Sequence, residues 1–124
     1  MRDHNMTVLV VEDEVLIRLD LTEAIEMSGY FVRHARSAEE ALEMLETDET
    51  IGVVFLDIVL PRMDGIELAH IVREKWPNTM IIYSSGNIDV AKPSGPEGAF
   101  FLHKPYSLSA LKHVLSHVPA RSGA

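Results

Sequence analysis

Two apolar runs in this chain end in acid. Thr7 to Val11 leads into Glu12-Asp13, and Ile51 to Leu56 leads into Asp57. Short, near-continuous aliphatic and β-branched runs of this kind read as strands buried on both faces, which is the condition of a parallel sheet between helices. In open α/β sheets, ligands bind beyond the carboxyl ends of the strands, so the three carboxylates are expected at one rim. Like charges in a half-dry crevice repel, and a hard divalent ion such as Mg²⁺ relieves that repulsion through oxygen ligands. The pattern points to a small metal-dependent carboxylate site.

The rest of the chain alternates element types. Glu14 to Ser28 sets Val15, Leu16, Leu19 and Ile25 at helical spacing, and Gly29 falls where a helix C′ residue belongs. Tyr30 to Ala35 reads as a strand. Ser37 and Glu40 have capping-box spacing before a helix with Ala41, Leu42 and Leu45 on its inner stripe. Beyond Asp57, turn formers from Pro61 to Gly65 precede a helix bearing Ile66, Leu68, Ala69, Ile71 and Val72, closed by Pro77-Asn78. Thr79 to Ser84 and Ala99 to His103 are the last strands, and Ser107 caps a helix with Leu108, Leu111, Val114 and Leu115. Strands alternating with helices imply a doubly wound α/β domain with right-handed crossovers. Pro93, Gly95, Pro96 and Gly98 interrupt that rhythm, so the helix between the fourth and fifth strands is expected to be truncated or replaced by a loop, with faster amide exchange than the helices.

The 124 residues suit one domain, expected over residues 7–118 between tails 1–6 and 119–124. The net charge of −8 opposes direct binding of a nucleic-acid backbone. Without cysteine there is no disulfide, thiolate metal site or cysteine nucleophile. No apolar run nears the roughly 18 residues of a membrane span and the first five residues are polar, so a cytoplasmic protein without membrane contact is expected.

These residues resemble the receiver domain of two-component response regulators. The stretch Leu56-Asp57-Ile58-Val59-Leu60-Pro61-Arg62-Met63-Asp64-Gly65 is similar to that family's acceptor loop, and Glu12-Asp13, Ser85 and Lys104-Pro105 stand in the matching order, over about Thr7 to Val118. The resemblance implies a flavodoxin-like (βα)5 fold with a five-stranded parallel sheet of order 2-1-3-4-5. It implies that Asp57 accepts a phosphoryl group from a phosphohistidine on a sensor histidine kinase or phosphotransfer protein. Asp13, Asp57 and the main-chain carbonyl of Val59 would hold Mg²⁺, with Glu12 acting directly or through water; Mn²⁺ or Ca²⁺ can substitute. Lys104 and Ser85 would contact the phosphoryl group, Pro105 would follow a cis peptide, and Phe101 would be the switch aromatic. Output would pass to an unknown downstream protein, or the domain would act as a phosphate sink, without enzymatic action on a separate substrate.

Plainer readings stand beside these. Glu12-Asp13 suits a solvated helix start, Ser85 before Gly86 and Lys104 before Pro105 are ordinary turn chemistry, Phe101 suits a core, and Asp64 and Gly65 suit loop closure ahead of a helix. His113 and His117, four residues apart, fit a solvated helix face better than a metal pair, and His103 should point away from the phosphate. Val59 is apolar where many members of that family carry a polar or acidic side chain, and Asn87, two after Ser85, is polar; both bear on phosphoryl lifetime without fixing its direction. A phosphorylation-independent interaction module is the alternative function. An aspartyl-phosphate hydrolase ranks last, because Val59 occupies the place of the second acid.

Overall fold

The computed structural model describes residues 6–57, 64–85, 98–104 and 106–117, with Ser85 described by its backbone alone. β1 (Thr7–Val11), α1 (Val15–Met27), β2 (Phe31–Ala35), α2 (Ala38–Thr47), β3 (Ile51–Asp57), α3 (Gly65–Lys75), β4 (Met80–Ser85), β5 (Phe100–His103) and α4 (Leu108–Leu115) follow in that order. All strand pairs are parallel, and the sheet runs β2-β1-β3-β4-β5, the order expected of a flavodoxin-like fold. The expected break in the helix between β4 and β5, the Pro93 to Gly98 loop, the Val59 carbonyl and Pro105 all lie outside the described residues, apart from Gly98, which has φ +85°.

Two cores flank the sheet, because successive side chains of each strand face opposite ways. Leu9, Val11, Val54, Leu56 and Ile81 pack with Ala41 and Leu45 of α2 and Leu68, Ala69 and Val72 of α3. Val8, Val10, Val53, Phe55 and Ile82 pack with Leu21 and Ile25 of α1 and Leu111, Val114 and Leu115 of α4. β1 is buried throughout, while edge strand β2 buries only Ala35.

The apolar residues set at helical spacing along α1 do not all turn inward. Val15, Leu16 and Leu19 are 55%, 77% and 49% exposed, and the buried residues are Leu21 and Ile25. The start of α1 carries apolar residues on more than one stripe, and its packing on β1 and β2 selects which stripe is covered. Leu108 is likewise exposed, whereas Leu111, Val114 and Leu115 are buried.

The element ends follow local chemistry. Ser37, Asp64 and Ser107 each accept the main-chain N–H three residues on, from Glu40, Glu67 and Ala110. The Glu40 carboxylate reaches back to the N–H of Arg36, one residue before the cap. Gly29 closes α1 at φ +100°, with its N–H donated to Glu26. The Tyr30 hydroxyl then donates to the Leu115 carbonyl at 3.1 Å, tying the α1–β2 turn to the last turn of α4.

Candidate functional site

Register brings the acids together. Val11 of β1 lies opposite Leu56 of β3, so the residues that follow, Glu12 and Asp57, emerge side by side at the carboxyl edge. On the other flank Ser84 lies opposite Asp57, and Ser85 lies opposite His103, with Lys104 the next residue. Glu12, Asp57, Ser85 and Lys104, far apart in sequence, therefore reach one edge of the sheet.

Lys104 Nζ donates to Asp57 Oδ2 at 2.5 Å and lies 3.7 Å from Glu12 Oε1. Glu12 is only 3% exposed, and its Oε2 accepts the Glu14 N–H at 3.1 Å. Burial pushes the Glu12 carboxyl up to about 7; the Asp57 charge and a hydrogen bond with Asp13 act in the same direction, against the Glu14 amide and Lys104. Burial alone would lower the Lys104 ammonium, but its hydrogen bond to Asp57 and the charges of Asp57, Glu12 and Glu14 leave it raised. Asp13 itself is exposed.

Three carboxylates outnumber the Lys104 ammonium, and an oxygen-rich, negatively charged set of this kind fits Mg²⁺ in donor chemistry. Among the described residues no three His, Asp or Glu side chains converge on one point as a ready ligand cage. Lys104 stands between Glu12 and Asp57 instead.

Phe101 is half-buried, with its ring centroid 5.5 Å from that of Tyr83, its register partner on β4. His103 is exposed and meets Phe101 edge-on at 6.2 Å. His113 and His117 are both exposed, with ring centroids 5.2 Å apart, and His117 Nδ1 lies 3.1 Å from the His113 carbonyl oxygen. Asp64 acts as the α3 cap.

Two residues near the site escape the sequence reading. Tyr106 packs its ring 6.1 Å from Phe55, and its hydroxyl is raised by burial first, then by the charges of Glu12 and Asp57. The signal for it was its place two residues after Lys104. Arg18 donates from Nη1 to the main-chain carbonyl of Glu12 at 2.9 Å. Its signal was a cation five residues after Asp13, in the first turn of the helix that follows the acidic pair.

The geometry agrees with what the chain is similar to. Residues 8–116 match the family model of the response regulator receiver domain. Sensor kinase CckA of Brucella abortus (strain 2308) is 38% identical over 109 residues, which cover 85% of this chain but only 12% of that kinase. The response regulator receiver protein CpdR of the same organism is 36% identical over 107 residues, covering 84% of this chain and 88% of that protein. The crystal structure of the receiver domain of NtrX from Brucella abortus superposes with a TM-score of 0.80 at 33% identity, covering 90% of this chain and 96% of that one. With that match running along most of its length and the expected strand order beneath it, the chain belongs to the response regulator receiver-domain family.

Proposed function

We propose that this receiver accepts a phosphoryl group on Asp57 from the phosphohistidine of a sensor histidine kinase or phosphotransfer protein. The observation that carries the reading is Asp57 at the carboxyl end of β3, in the middle of the sheet, with Lys104 Nζ at 2.5 Å. A carboxylate oxygen of Asp57 attacks phosphorus, the P–N bond to the donor imidazole breaks, and an acyl phosphate forms. Lys104 would offer its ammonium to the transferred phosphoryl oxygens, and Ser85, at the end of β4, would hydrogen-bond one of them. Phe101, packed on Tyr83 two residues before Ser85, is the aromatic that would follow that movement inward, a two-state element biased by new charge.

Asp13, Asp57 and the Val59 carbonyl would hold Mg²⁺, with Glu12 directly or through water, and Mn²⁺ or Ca²⁺ can take its place. When bound, the cation supplies neutralisation of charge on the equatorial phosphoryl oxygens. Phosphorylation and slow self-dephosphorylation are the whole of the chemistry, with no separate substrate. Output goes to an unidentified protein in the cytoplasm or ends in draining phosphate, and the net charge of −8 disfavours nucleic acid as the target.

The test is incubation with Mg²⁺ and acetyl phosphate, with intact-mass detection, and a parallel beryllofluoride titration followed by amide NMR. A single phosphoryl adduct and shifts around Asp13, Asp57 and Lys104, both lost in Asp57→Asn, are expected. No adduct and no shifts in the native chain would overturn the reading in favour of a phosphorylation-independent module.

A further inference from the structure

We propose that Arg18 is a positioning residue of the acidic turn, fixing the Glu12–Asp13 peptide so that both carboxylates are presented to a divalent cation. The proposal depends on the Mg²⁺-binding reading above. α1 starts at Val15, and its N-cap, Glu14, makes no side-chain cap hydrogen bond. The cap residue's own side chain therefore does not anchor the helix start. Arg18 adds a donor to that turn from one helical turn beyond Glu14. Its Nη1 donates to the Glu12 carbonyl at 2.9 Å, and its main-chain N–H donates to the Glu14 carbonyl at 2.9 Å. The main-chain bond is the ordinary one of a first helical turn, so it is the guanidinium that ties the peptide before Asp13.

The choice of acceptor matters. Glu12 Oε2 also ties the turn through the Glu14 N–H, but that bond engages a carboxylate oxygen. Arg18 binds a main-chain carbonyl instead and leaves the carboxylate lone pairs available for a cation. It does so although its Nε is buried with no hydrogen-bond partner, a donor left unmet at a free-energy cost. The guanidinium fixes the peptide plane through a carbonyl, as outer partners of metal ligands do when they set ligand orientation.

Arg18→Met and Arg18→Lys, compared with the native chain, test this by amide-NMR titration with Mg²⁺ alone and by thermal unfolding in EDTA. Arg18→Met is expected to weaken Mg²⁺ binding about tenfold while keeping the native amide pattern outside the turn, and Arg18→Lys to recover part of the loss. Native-like Mg²⁺ affinity in both variants, within about twofold, would overturn the proposal. So would a lowered melting temperature with unchanged affinity, or loss of folding in both variants, since each assigns Arg18 to the fold alone. If the native chain itself ignores Mg²⁺, the functional reading fails first; if only the variants match it, the role of Arg18 fails alone.

Discussion

Lys104 Nζ sits 2.5 Å from Asp57 Oδ2, whereas Glu12 Oε1 is 3.7 Å from the same nitrogen. One ammonium is shared unequally between two carboxylates, and the less favoured partner is the more deeply buried. Protonation of Glu12, rather than a second cation, is the cheaper way to balance this edge of the sheet in the absence of divalent ions.

Removing the ammonium should be costly where both acids are charged. Lys104→Met is expected to lower stability by about 2 kcal/mol at pH 8 in EDTA, below the cost of breaking a fully buried pair because Lys104 is partly open to solvent. The loss should shrink toward pH 5 as Glu12 takes up its proton. Urea unfolding at both pH values measures this, and an equal loss at each would refute the shared-charge account.

Glu12 gives the fold a pH dependence of definite sign. Its carboxyl sits at about 7 in the folded protein against 4.5 for the ordinary side chain, so the native state binds more protons between those values. Stability from this group is therefore greatest at low pH and declines as pH rises from about 4.5 to 7, by at most about 1.4 kcal/mol per unit. Glu12→Gln should flatten that decline and be the more stable protein at pH 8 without divalent ions. Parallel stability profiles for the two proteins from pH 5 to 8 would show that Glu12 titrates normally.

The two faces of α1 should differ sharply in cost. Leu21 is buried and Leu16 is 77% exposed. Leu21→Ala is expected to cost about 3 kcal/mol and Leu16→Ala under about 0.5 kcal/mol. Chemical denaturation of the pair checks the orientation of the helix; similar losses would mean that the covered stripe is the other one.

Asp64 provides a contrast with the acids of the site. Its Oδ1 accepts the Glu67 N–H at 2.8 Å as the cap of α3. Asp64→Ala should cost about 1 kcal/mol and leave Mg²⁺ affinity unchanged. A loss of affinity without a loss of stability would move Asp64 from the fold into the cation site.

Strand positions and the meeting of Glu12 with Asp57 were legible because both follow from apolar runs and parallel register. Ser37, Gly29 and Ser107 were legible because caps are local chemistry. The covered face of α1 was not, since Val15, Leu16 and Leu19 offer as good a periodic stripe as Leu21 and Ile25 until the sheet beneath is known. Nor was the bond from Arg18 to Glu12, or the lean of Lys104 toward Asp57. Long flexible side chains choose partners by three-dimensional reach, which spacing along the chain does not encode. Tyr106 belongs with them, its ring placed by contact with Phe55 across the sheet.

The hydrogen bond from the Tyr30 hydroxyl to the Leu115 carbonyl joins positions 85 apart in the chain. Mechanically it works as a tie-rod. A partner that grips α4 and pulls on its last turn loads the corner at Gly29 through this bond, so traction on the last helix is shared with the first helix and the edge strand that follow one another there. Tyr30→Phe would release that corner while keeping the ring in the core, and a force-extension trace would then show α4 detaching before the rest of the sheet yields.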